Sequence, residues 1–241
     1  MSLVYVFAAS SVEAQPVRRI GVPSGTNSIL RCGPNDVVLI TGGMGPINAR
    51  IKADTALRSS DGVTPDAVLS IGLCGGLTGS LAEGRIVGYT ECRSTQAEKP
   101  LLRCSEKITD SMATLLKSSN ILCDRVAAIT SPQIAATPAQ RTALAKLGAA
   151  VVDMETYSIL EAAAAAGMPA AVLRVVSDSV DRVLPDFNRA LDESGAIDGR
   201  KALRVAMGSP LRTAKLLAAN RRAMQQLARA LDIVLKNPCF A

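Results

Sequence analysis

The chain's candidates for chemistry are acids, because its 241 residues include no histidine. Without imidazole there is no Ser-His-Asp triad and the commonest general base is missing, so proton transfer near neutral pH falls to carboxylates. Two acidic clusters stand out, Asp153-Met154-Glu155 and Ser177-Asp178-Ser179-Val180-Asp181, with a lone Glu13 near the N-terminus. Each follows a short apolar run, residues 3–9, 149–152 and 170–176, of the kind that makes a buried strand. In open α/β sheets, ligand sites gather at the carboxyl ends of strands, so Glu13, Glu155 and Asp178 are expected to close three strands and converge. Three such acids suit a sugar–base bond. A purine leaves once its ring is protonated, an anion stabilises the oxocarbenium-like sugar, and a carboxylate accepts both hydroxyls of a ribose diol. One acid alone is more often a helix cap or a surface charge; three at strand ends beside two glycine loops favour a site.

The elements that must position these acids are legible in outline. The alanine-rich segment 157–166 reads as a helix closed by Gly167, so 149–176 is a strand–helix–strand unit. The segment 10–14 reads as a turn carrying Glu13, and 17–22 as a second strand. A strand at 37–41 leads into Gly42-Gly43-Met44-Gly45-Pro46 and a helix from about 48 to 59. Backbone N–H groups converge in such a loop, which makes Gly43, Gly45 and Asn48 an expected anion or sugar pocket, a plain tight turn being the competing reading. A strand at 66–71 leads into a second expected loop, Gly72-Leu73-Cys74-Gly75-Gly76. Strands at 85–89 and 126–129, helices at 109–118 and 138–147, and a loop at 130–136 complete this part. The fold class is α/β, three-layered, with a mixed twisted central sheet flanked by helices in one domain spanning 1–241.

Aromatic residues make up only 2% of a chain that is 48% apolar, so the core is built from Ala, Val, Leu and Ile. Six scattered cysteines form no C-x-x-C pair, and with no histidine they make no zinc set; reduced thiols, a cytoplasmic setting and no metal are expected. The apolar N-terminus lacks a basic region before it and reads as a strand rather than a signal peptide. No run approaches the roughly 18 apolar residues of a membrane span. The net charge of +6 is uneven: residues 200–236 carry nine Lys and Arg against Asp232 alone. Most of that segment, 211–235, reads as one long helix with leucines at helical spacing and basic residues on its other faces.

The pair Asp153-Met154-Glu155 and Arg174-Val175-Val176-Ser177-Asp178 resembles the signature of the purine nucleoside phosphorylase and methylthioadenosine/adenosylhomocysteine nucleosidase superfamily. The likeness extends to both glycine segments, to Asn48 and to the N-terminal strand with Glu13. It implies that Glu155 holds the ribose hydroxyls with Met154 against the sugar. It makes Asp178 the acid at purine N7, with Ser177 beside it, and Glu13 the carboxylate that activates water. Gly75 and Gly76 then border the substrate, and Ile134 stands where the nucleosidases stack the base on Phe. Bacterial-type phosphorylases bind phosphate with an Arg and a Ser where this chain has Ser70 and Leu73, so the comparison favours hydrolysis over phosphorolysis. No cofactor is implied, apart from phosphate as co-substrate of a phosphorylase.

Residues 181–185 and the basic C-terminal segment resemble the hopanoid-associated branch, which implies removal of adenine from adenosylhopane, a lipid-linked adenosine. The partners expected are this small-molecule or lipid-linked nucleoside, a second copy of the chain in a homodimer, and peripheral contact with a membrane through the basic helix. Nucleic acid is not expected, since no aromatic platform accompanies the charge. A methylthioadenosine/adenosylhomocysteine nucleosidase remains an alternative. The rival from another class is a non-catalytic nucleoside-binding or membrane-associated protein, which would release no base.

Overall fold

A computed structural model describes residues 1–24, 29–58, 64–96, 98–193 and 195–240. Among these, ten strands form one mixed sheet. At its centre β1 (Ser2–Ala8) lies parallel to both β4 (Asn35–Thr41) and β5 (Ala67–Gly76). Beyond β4, two short antiparallel strands, β2 (Val22–Pro23) and β3 (Ile29–Cys32), finish that edge. On the other side the sheet closes on itself. β5 pairs with β10 (Ala170–Asp178), β10 with β6 (Ile86–Ser94), β6 with β8 (Cys123–Thr130), β8 with β9 (Val151–Asp153), and β9 returns to β5. β7 (Leu102–Arg103) adds to β6. The mixed α/β architecture is as expected; the closure was not foreseen.

Alternate side chains of the central strands enter two separate cores, as a strand covered on both faces requires. Val4, Val6, Leu69, Ile71, Leu173 and Val175 meet one helical layer, which includes α1 (Ser11–Ile20), α3 (Glu106–Ser118) and α7 (Pro210–Leu235). Tyr5, Phe7, Val68 and Val172 meet the other, made by α2 (Pro46–Arg58) and α5 (Thr156–Ala165). Small residues such as Ala53, Ala162 and Ala163 let α2 and α5 approach the sheet closely, which is how so few aromatics suffice. α4 (Pro138–Ala145) follows the loop after β8, and α6 (Gly199–Gly208) precedes α7. All six cysteines are free thiols.

Three expectations are corrected. Residues 11–20 are neither a turn nor a strand but α1, begun by a reciprocal capping box between Ser10 and Glu13. Buried Pro16, which withholds a ladder N–H, masks the helical pattern in the sequence. The second glycine segment is not a loop: 72–76 continues β5, paired with β10 and β9. Of the expected strand at 17–22 only Val22 is in a strand, β2, and β2, β3 and β7 have too few residues to show periodicity in the sequence. The predicted end of the second helix, at Ser59, lies outside the described residues; its described part ends at Arg58.

Candidate active site

The three acids come from three different local contexts. Asp178 is the last residue of β10, and Glu155 stands between β9 and α5 at the N-cap position of that helix. Glu13 closes no strand; it lies in the first turn of α1, where Ser10 N–H donates to its Oε2 at 3.1 Å and Leu73 N–H donates to Oε1 at 3.0 Å. Glu13 is therefore a helix-capping acid and a site acid at once, because the cap aims the carboxylate at β5. All three border one cavity of about 780 Å³. Met154, Ser177, Ile134 and Gly75 border it too, whereas Gly76, Gly43, Gly45 and Asn48 do not.

The first glycine loop does cradle an anion, but the anion is internal. Gly45 N–H donates to Glu155 Oε1 at 3.0 Å, while Asn48 Nδ2 donates to the Met44 carbonyl at 3.1 Å. The loop thus orients the carboxylate instead of receiving a free one. Glycines of β5 make room for the acids: a Cβ at Gly75 would lie 3.2 Å from Asp178 Oδ1, and one at Gly72 would strike Glu13 Oε1 and Arg174 Nη1.

Two buried arginines organise this floor, and neither was singled out as a site residue from the sequence. Arg174, on β10, lies 3.5 Å from Asp153 Oδ2 and 3.9 Å from Glu155 Oε2, and donates to Ser70 Oγ at 3.2 Å and to the Leu73 carbonyl at 3.3 Å. Its place inside an otherwise apolar strand was the available signal. Asp153 is a structural hub: it accepts from Thr130 Oγ1 at 2.8 Å, Tyr89 Oη at 3.1 Å and Thr156 N–H at 3.1 Å. Arg141 sits on α4, 1% exposed, in a helix whose sequence looks like any surface helix. Its guanidinium pairs with Asp178 Oδ1 and donates to the carbonyls of Ser179 at 2.7 Å and Ala135 at 2.9 Å.

Burial pushes the Glu155 carboxyl up to about 7; Arg174 opposes this, and the neighbouring charges of Asp153 and Glu13 reinforce it. Asp178 is 5% exposed. Its Oδ2 lies 2.5 Å from the Ser177 hydroxyl, which is also 3.2 Å from the Cys74 carbonyl. The acid role asks for burial or a neighbouring negative charge. Burial is present, and the charged group beside Asp178 is the Arg141 guanidinium.

The rest of the cavity wall is largely apolar: Val12, Leu184, Ile197, Leu217 and Met224, drawn from α1, the segment after β10 and α7. Ile134 is fixed by a two-point contact with Asn188, whose Oδ1 accepts from Ile134 N–H at 2.7 Å and whose Nδ2 donates to its carbonyl at 2.9 Å. Gln133, not Ile134 alone, also faces the cavity from this loop.

Residues 6–207 match the family model described as the phosphorylase superfamily. The chain belongs to the phosphorylase superfamily. Membership makes it a nucleosidase or phosphorylase, an enzyme of the N-glycosidic bond. Similar solved structures include S-adenosylhomocysteine nucleosidase from Streptococcus pyogenes in complex with 5-methylthiotubericidin, at TM-score 0.76 and 16% identity over 98% of this chain and 97% of that one. The 5′-methylthioadenosine/S-adenosylhomocysteine nucleosidase from Neisseria meningitidis, in complex with methylthio-immucillin-A, gives 0.76 and 15% over 98% and 99%. Futalosine hydrolase of Helicobacter pylori gives 0.73 and 15% over 97% of each chain. At these identities the likeness to the three structures is one of fold. The superfamily's diversity leaves the substrate to be argued from the cavity.

Proposed function

We propose that this phosphorylase-superfamily chain hydrolyses the N-glycosidic bond of a 5′-modified adenosine and releases adenine, with adenosylhopane of hopanoid biosynthesis as the substrate. The observation that carries this reading is one cavity with Glu13, Glu155 and Asp178 on one side and an apolar wall, Val12, Leu184, Ile197, Leu217 and Met224, on the other. Asp178 delivers a proton to purine N7, and Arg141 stabilises the carboxylate left behind. Glu155 accepts the ribose hydroxyls, and Glu13 takes a proton from the attacking water. The departing base carries away the bond's electron pair, and water oxygen bonds to the sugar carbon. The apolar wall takes the 5′ substituent.

Hydrolysis is favoured over phosphorolysis by what surrounds the sugar. Ser70 is buried and engaged by Arg174, and Leu73 puts an apolar side chain into the wall where a phosphate ligand would be needed. The nucleosidases of similar fold hold methylthio-substituted nucleoside analogues, which supports a purine nucleoside with a non-polar 5′ group.

Mass spectrometry of the products from a panel of 5′-substituted adenosines, with and without phosphate, tests the reading. Adenine and a free sugar are expected in both buffers, fastest for large apolar substituents. A sugar 1-phosphate formed only with phosphate would replace hydrolysis by phosphorolysis. Base release from none of them would leave a binding protein.

A further inference from the structure

We propose that the corner made by α6 and the first half of α7 docks on an anionic lipid bilayer and sets the mouth of the cavity against it. The inference rests on the cavity being a nucleoside site, and specifies how a lipid-linked nucleoside reaches it. Among the described residues, five of the exposed large apolar side chains fall within residues 197–217: Ile197, Leu203, Met207, Leu211 and Leu217. Singly, exposed apolar residues are ordinary; clustered, they mark an interaction surface. Leu203 and Met207, 61% and 67% exposed, lie one turn apart on the same face of α6, a helix with no buried residue. Leu211, at the start of α7, is 79% exposed.

The charge around this corner names its occupant. Residues 198–222 hold seven Lys and Arg and a single acid, Asp198. That carboxylate is spent capping α6 through the N–H groups of Arg200 and Lys201. Arg222 reaches Glu83 at 3.7 Å. No salt bridge among the described residues neutralises Arg200, Lys201, Arg204, Arg212, Lys215 or Arg221. A second copy across a two-fold axis would set these cations against themselves, because such an interface is self-complementary. An anionic bilayer supplies both a counter-charge and an apolar layer for the leucines and Met207. Continuity places the cavity at this surface, since Ile197, Leu217 and Arg221 belong to the corner and to the cavity wall together. The second half of α7 is not available for docking: Ala223, Leu227, Ala230 and Leu231 are buried in the core.

The test is co-sedimentation of the full chain with phosphatidylcholine vesicles, with or without phosphatidylglycerol, for the wild type and for Leu203→Ser/Met207→Ser/Leu211→Ser. None of these three residues borders the cavity. The wild type is expected to pellet with the anionic vesicles, and the triple variant to bind them about tenfold more weakly. Both are expected to release adenine equally from a water-soluble 5′-substituted adenosine. A wild type that stays in the supernatant, or a variant that pellets equally, overturns the proposal. So does a variant that sediments as a smaller species than the wild type, because the face would then join protein copies. A wild type that pellets yet releases no adenine from the soluble nucleoside supports docking and overturns the proposed chemistry instead.

Discussion

The floor of the cavity and its rim treat polar and apolar groups in opposite ways. At the floor, Asp153 takes three or more hydrogen bonds, Glu155 is held by Gly45 N–H, Glu13 by Ser10 and Leu73, and Asp178 by Arg141. At the rim, leucines stand in solvent, and among the described residues no salt bridge reaches the guanidinium groups of Arg200, Arg204, Arg212 and Arg221. A buried charge is tolerable only when partnered, so the floor must be completed by the fold itself. Groups left unsatisfied at the rim cost little while exposed and gain when something binds. The difference separates a preorganised reacting centre from a surface that awaits its ligand, and the two should respond differently to substitution.

The largest effect belongs to the floor. Asp178→Asn keeps shape but removes the proton, so turnover should fall by about 10²–10⁴ with little change in KM, read from initial rates of adenine release. Near-normal turnover would remove Asp178 from its role. Arg141→Met should cost about 1–3 kcal/mol in urea denaturation, because it leaves the carbonyls of Ala135 and Ser179 without their donor. A cost below about 0.5 kcal/mol would show that the clamp carries no weight.

Glu155 gives an effect of intermediate size with a definite sign. Its carboxyl is raised from 4.5 to about 7, so the folded chain holds this proton more tightly than the unfolded one. The stability it contributes is therefore complete below the unfolded value and is lost as pH rises through about 7. Ribose hydroxyls donate to the ionised form, so nucleoside affinity should rise about tenfold between about pH 6 and pH 8 by calorimetry. Glu155→Gln should flatten both profiles. At the rim, Leu217→Ser should raise KM a few-fold, about 1 kcal/mol, for substrates with large apolar 5′ groups. It should leave adenosine unaffected. Equal losses for both substrates would erase the distinction between floor and rim.

Much of this site was legible because it depends on residue types with few alternatives. A chain without histidine must use carboxylates, and acids after apolar runs belong at strand ends; Glu155 and Asp178 follow that logic directly. Glu13 reached the cavity by another route. Its S-x-x-E spacing with Ser10 announced a capping box, but Pro16 made the segment look unhelical. The glycines of 72–76 looked like a turn because close packing and tight turning select the same residue. Arg141 was illegible: nothing local to α4 distinguishes a guanidinium that will be buried by β10 and the loop after β8 from one left in water. Long-range closure of the sheet decides that, and closure leaves no periodic trace.

The most direct test of the convergence of three acids on one nucleoside is a crystal structure with a carbon-linked, uncleavable analogue of a 5′-substituted adenosine. The base N7 should lie within hydrogen-bonding distance of Asp178, both ribose hydroxyls on Glu155, and Glu13 on the opposite face of the sugar. An analogue bound with its base away from Asp178, or with its hydroxyls off Glu155, would contradict the account.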